Sequence, residues 1–115
     1  MGNINTVGYE KVRSFVLSSW VYLEVQTPTG TPVKRFSVSD GLIITGTANS
    51  TEIEYKVVCS GADASFTGKE IGKSVLFDVA SGGQAIMEEV FTPFTLEQDN
   101  DELTVIHKLE VPKVI

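Results

Sequence analysis

The sequence predicts an all-β fold, a single antiparallel β-sandwich or jelly-roll-like barrel of about 7–8 strands. Three observations carry this expectation. Val, Ile and Thr supply 34 of the 115 residues while Ala supplies five, and branched Cβ atoms pack well on a pleated surface but lose χ1 freedom in helices. Clusters of Gly, Pro, Asn, Asp and Ser punctuate the chain at short intervals. Glu52 to Ser60 alternates apolar and polar side chains with the strand period of two. The length suits one domain across 1–115, with 1–12 as an N-terminal arm and 111–115 as a C-terminal tail.

Ser14 to Thr27 fits two templates. As a strand it sets Phe15, Leu17, Val21, Leu23 and Val25 against Val16, Trp20 and Tyr22; as a helix over 7–18 it runs Tyr9, Val12, Val16 and Trp20 down one stripe, with Thr6 as N-cap. Gly8 and the Ser/Val content favour the strand, and a strand apolar on both faces belongs inside a sandwich or at an oligomer interface. Thr27 to Pro32 is a hairpin loop, from which Val33 to Val38 returns antiparallel. Ser39-Asp40-Gly41 turns into a strand over 42–47, and Ala48-Asn49-Ser50 turns again.

In Glu52 to Ser60 the residues Ile53, Tyr55, Val57 and Cys59 face in and Glu52, Glu54 and Lys56 face water, with Val58 breaking the outer row. Residues 61–72 are loop-like, with a short strand expected near Phe66. Lys73 to Val79 is a strand with Val75, Phe77 and Val79 inside. Residues 84–91 fit either a short helix or a strand, closed by Pro93. After the acidic turn Gln98 to Asp101, a last strand carries Leu103, Val105, His107, Leu109 and Val111 on one face.

Composition excludes several classes of function. With two arginines (Arg13 and Arg35) and a formal charge of -6, the chain has no basic face for phosphate neutralisation, so no nucleic-acid partner is expected. No apolar run approaches the roughly 20 residues of a membrane helix. The first thirty residues hold no charged stretch followed by an apolar one, so no secretory signal is legible. The start Met1-Gly2-Asn3-Ile4-Asn5-Thr6 fits the myristoylation pattern, but no polybasic partner follows it.

The chemistry-bearing residues are sparse. Gly68 to Ser74 resembles a phosphate loop one residue too short, so Gly68 and Gly72 read as turn glycines. No G-x-S-x-G elbow is present. Cys59 and His107 both sit on apolar faces and read as a core thiol and a partly buried imidazole rather than a dyad. Glu97, Asp99, Asp101 and Glu102 could converge on calcium but lack the glycine and closing glutamate of an EF-hand, and read as a solvated turn. Asn49-Ser50-Thr51 is a glycosylation sequon in a turn, with a capping Asn as the simpler reading. Catalytic, cofactor and metal residues are therefore expected to be absent.

What remains points to binding. The expected partner interface comprises Trp20, Tyr22 and Val16 on the two-faced segment, with Val114 and Ile115 in the tail. The function expected is that of a non-enzymatic structural β domain making oligomer or large-particle contacts, most concretely a phage virion decoration or tail accessory protein. The alternative is a carbohydrate or small-ligand module using Trp20, Tyr22, Asp40 and Asn49.

Overall fold

In the computed structural model, which describes residues 2–111, the chain folds as seven strands in two antiparallel sheets with one helix. The helix α1 spans Thr6–Ser19. The strands are β1 (Tyr22–Gln26), β2 (Pro32–Phe36), β3 (Ile43–Thr45), β4 (Glu52–Ser60), β5 (Lys69–Phe77), β6 (Met87–Leu96) and β7 (Glu102–Glu110). One sheet has the order β2-β1-β5-β6 and the other β3-β4-β7, so the chain crosses between sheets after β2, β4 and β6.

The inner faces follow from the strand registers. Phe36, Leu23, Leu76 and Met87 form one row across the four-stranded sheet. Opposite them β4 and β7 align Ile53 with Leu109, Tyr55 with His107, Val57 with Val105 and Cys59 with Leu103. Leu23, Leu76, Ile53, Tyr55 and Cys59 are fully enclosed, and each buried aliphatic of this size contributes about 1.5–3 kcal/mol of transfer free energy. Phe66, in the turn after β4 and not in a strand, stacks on Phe36 at 5.9 Å and closes one end of the core.

The segment 14–27 departs from the strand expectation. It is the second half of α1, a break at Trp20, and then β1. The N-cap is Asn5 rather than Thr6. Propensity lost here to tertiary contact. Arg13 is buried, and its guanidinium donates to the carbonyls of Ala48, in the turn between β3 and β4, and of Val111, just past β7. The Tyr55 hydroxyl donates to the Trp20 carbonyl at 2.8 Å, holding the helix exit against the sandwich. Val16 is accordingly a core residue, while Phe15 and Val12 face solvent.

Residues 84–91 resolve to strand, since β6 begins at Met87 and continues through Pro93 instead of stopping there. β6 is the outer strand of its sheet, and the β5–β6 register shifts between Ile71 and Lys73, directly across from Phe91 to Pro93. An edge or a bulge tolerates a residue without an N–H. Gly72 is a strand residue, not a turn: Pro28 packs over it, and a Cβ would lie 2.7 Å from Pro28 Cγ. β5 turns its other face inward: Ser74 and Leu76 stand across from the inward Val25 and Leu23, Val75 stands across from the outward Glu24, Phe77 lines the outer cleft, and Val79 lies beyond the end of the strand and is exposed.

Because Arg13 satisfies two carbonyls from two elements, Arg13→Met should lower the unfolding free energy by about 3 kcal/mol in urea titrations, the cost of leaving charge-assisted acceptors unpaired. An unchanged midpoint would remove Arg13 from the docking of α1.

Candidate functional site

The fold assembles a buried polar group between the sheets, a cleft on the outer face of the four-stranded sheet, and two exposed apolar surfaces.

Between the sheets, the registers bring Ser74 of β5, Glu89 of β6 and His107 of β7 together. Ser74 stands directly across from Glu89, and its Oγ lies 2.8 Å from His107 Nδ1. A Glu89 carboxylate oxygen is 3.8 Å from that same nitrogen. His107 Nε2 has no hydrogen-bond partner among the described residues, and Ser74 and His107 are both 0% exposed. Nucleophilic catalysis needs the base to hold the hydroxyl with one ring nitrogen and its orienting carboxylate with the other. Here both partners share Nδ1 and the hydroxyl is sealed from solvent, so the trio is a brace between the sheets. Burial pushes the His107 pKa below its ordinary value, and the Glu89 charge offsets part of that shift.

Cys59 is not part of this group. It stands opposite Leu103, four residues along β7 from His107, about 13 Å away at strand rise. Burial pushes its thiol up to about 12, with the nearby Asp63 charge adding and Lys34 opposing, so it stays protonated at neutral pH and is a poor nucleophile.

The cleft, about 500 Å³, is lined by Glu24, Gln26, Pro32, Arg35, Phe77 and the 80–83 loop. Arg35 organises it: Nε bonds the Glu24 carboxylate at 2.9 Å, Nη1 bonds the Val79 and Gly82 carbonyls, and the guanidinium lies 3.5 Å from the Phe77 ring centroid. Gln26 donates to the other Glu24 oxygen at 2.8 Å. The loop after β5 is thus held over the sheet, and this is why β1 is buried on both faces.

In the acidic turn the Asp101 carboxylate accepts the Glu97 and Gln98 backbone N–H groups; no group of three or more His, Cys, Asp or Glu side chains placed to hold a metal ion occurs among the described residues. Asn49 sits in a turn shaped by Thr47 and Ser50. Trp20 and Tyr22 are half-buried and Val16 is enclosed in the core, so of the three described residues expected at a partner interface two reach the surface. Val114 and Ile115 lie outside the described residues. Asp40 and Asn49 are exposed; Asp40 bonds Ser37, closing the short 3-10 turn before β3.

The exposed apolar surfaces are on other elements. On α1 the large residues Val7, Val12 and Phe15, with Ile4 just ahead of the helix, are 59%, 42%, 60% and 56% exposed. They occupy one arc of the helix, away from the arc of Arg13, Val16 and Leu17 that packs on the sandwich. On the outer face of the second sheet, Ile43 and Ile106 flank Lys56 in one cross-strand row, with Val58 nearby on β4. Beside this face a slot of about 290 Å³ runs between β6 and β7, lined by Glu89, Phe91 and Leu103 to Ile106.

No protein-family model, no curated protein and no solved structure matches this chain.

Ser74 and Glu89 were not singled out by sequence reading. The available signal was a serine directly before the apolar run Val75-Leu76-Phe77 together with a lone histidine on an apolar strand face; what was missing was the cross-sheet register.

The single histidine makes a clean acid test. Above its ordinary pKa of 6.5 His107 is neutral both folded and unfolded. Below it the unfolded chain takes up a proton that the folded chain resists, so stability falls as pH drops from about 6.5 toward the lower folded value. Urea midpoints should therefore decline between pH 7.5 and 5, and His107→Leu should flatten that slope. In the alkaline direction, folded Cys59 should resist iodoacetamide at pH 8 and react only at the rate of unfolding.

Proposed function

We propose that this chain is a non-enzymatic assembly domain that works through protein–protein contacts. The observation that carries the reading is the apolar face of α1. Four large aliphatic or aromatic side chains stand about half exposed or more on one side of a helix whose opposite side already closes the core. Isolated exposed apolar residues are ordinary on any protein, but four grouped on one arc, with only Lys11 set between Val7 and Phe15, mark a surface that another protein covers. The brace geometry of Ser74, His107 and Glu89 and the protonated Cys59 support binding over catalysis. A decoration or tail accessory protein of a phage virion is the concrete form of this reading, since such a subunit meets a large protein surface with a small rigid domain. The domain contacts copies of itself, a larger particle, or both.

A second reading, a carbohydrate or small-ligand module, is favoured by the cleft around Arg35. It is a better seat than Trp20 and Tyr22, although its polar groups already bond one another and the Arg35 guanidinium covers the Phe77 ring. A glycan array with specific hits that vanish in Arg35→Ala would move the assignment to this reading.

The assembly reading is tested by placing charge on the helix. Val7→Asp with Phe15→Asp touches exposed positions, so the circular dichroism spectrum should be retained. Sedimentation velocity should show smaller species than the unmodified chain, or pelleting with virions or other particles from the expressing cells should be lost. An unmodified chain that is monomeric up to millimolar concentration and pellets with no such particle overturns the reading.

A further inference from the structure

We infer that β7 pairs antiparallel with β7 of a second copy of this chain, in the register that places Glu102 opposite Lys108 of that copy. The inference deepens the assembly reading above and rests on it.

The argument starts from the backbone. Val111 N–H donates to Thr51 O and Gly61 N–H to Asp101 O, both at 2.8 Å. These bonds lie at the two ends of the β4–β7 ladder, in the same register as its residue pairs. Antiparallel pairs alternate between bonded and non-bonded. The odd-numbered residues of β7 therefore spend their N–H and C=O groups on β4, and Glu102, Thr104, Ile106 and Lys108 turn theirs to the outer side. No strand pairs with that side among the described residues. From Glu102 to Lys108 this edge is regular, without Pro, Gly or a register shift.

The other edges are guarded. β6 contains Pro93 and the β5–β6 register shift, β2 begins at Pro32, and β3 has three residues. Proline, bulges, short length and charged side chains are the devices that block strand addition. β7 has no proline, bulge or shortening; its charges, Glu102, Lys108 and Glu110, are of both signs, and on the slot side it presents Leu103 and Val105 beside Phe91 of β6.

A second copy is the occupant because β7 is complementary to itself. For two sheets to join with like faces together, residues of the same parity must oppose each other. Centring the pair on Val105 sets Glu102 against Lys108 and Thr104 against Ile106, each contact twice. Centring on Ile106 sets Glu102 against Glu110, and centring on His107 sets Thr104 against Glu110 with Ile106 against Lys108. All three oppose residues whose backbone groups point outward, and the Val105 register alone among them matches opposite charges at both ends. The product is one sheet of order β3-β4-β7-β7-β4-β3, in which the rows of Ile106 and Ile43 continue across the junction.

Charge reversal tests the register. Glu102 and Lys108 are exposed, and the 3.8 Å contact of Lys108 with Glu52 is an exposed pair of small effect on folding. In sedimentation equilibrium, Glu102→Lys and Lys108→Glu should each weaken the dimer about tenfold, because each puts two like-charged pairs opposite one another. The double reversal should restore it. Hydrogen exchange should show the Thr104 and Ile106 amides protected at high protein concentration and exposed on dilution, while the amides facing β4 stay protected throughout. A dimer indifferent to both single reversals, or not rescued by the double, overturns the β7 register and leaves the assembly reading standing. A chain monomeric at every concentration overturns the self-pairing, and the particle arm of the α1 experiment then decides the assembly reading by itself.

Discussion

Two sheets of four and three strands that do not close into a barrel must leave edges, and how each edge is treated shapes the rest of this molecule. A paired strand spends its backbone groups internally; an edge strand offers them outward to any chain that can lie alongside. β2, β3 and β6 are shortened, proline-bearing or bulged. β7 is long and regular, and the sheet that ends on it carries Ile43, Val58 and Ile106 on its outer face. Stability alone does not call for that difference, since a Pro or a bulge in β7 would blunt the edge at modest cost. An assembly role does call for it.

Buried polar groups hold the remaining pieces in place. Arg13 ties α1 to the end of β7 and to the β3–β4 turn. Arg35 ties the loop after β5 over Glu24 and Phe77. His107 and Ser74 bridge the two sheets. Each is a directional contact in an otherwise apolar setting, and each selects one arrangement among several that hydrophobic packing would accept nearly equally.

Strand periodicity was legible wherever one face met water. Glu52 to Ser60 was read with its boundaries and its facing residues, because alternation reports a half-exposed strand directly. It failed where both sides of an element are covered. β1 and β5 lie at the centre of their sheet, and the outward Glu24 and Gln26 are buried under the chain's own loop, so the two-faced character of that segment reflects internal cover more than a partner. Residues 6–19 were harder still: their best core contacts are an arginine and one valine, a pattern that an apolar stripe does not announce, and the exposed Val7, Val12 and Phe15 blur what amphipathicity there is. The trio Ser74, Glu89 and His107 depends on cross-sheet register, which no local window contains.

The two proposed contact surfaces are compatible because of where Arg13 sits. Its bond to Val111 places α1 at the C-terminal end of β7, six residues from Val105, about 20 Å along the strand. A β7 pair centred on Val105 runs its strands in opposite directions, so the two helices fall at opposite ends, about 40 Å apart by the same rise. Neither apolar helix face is then consumed by the pairing. A dimer built this way offers two identical apolar faces to a repetitive surface, and two weak contacts held at fixed spacing bind far more tightly than one. For a small acidic domain of charge -6, which repels its own copies at long range, pairing through the matched charges at Glu102 and Lys108 is the arrangement that adds avidity without bringing like charges face to face.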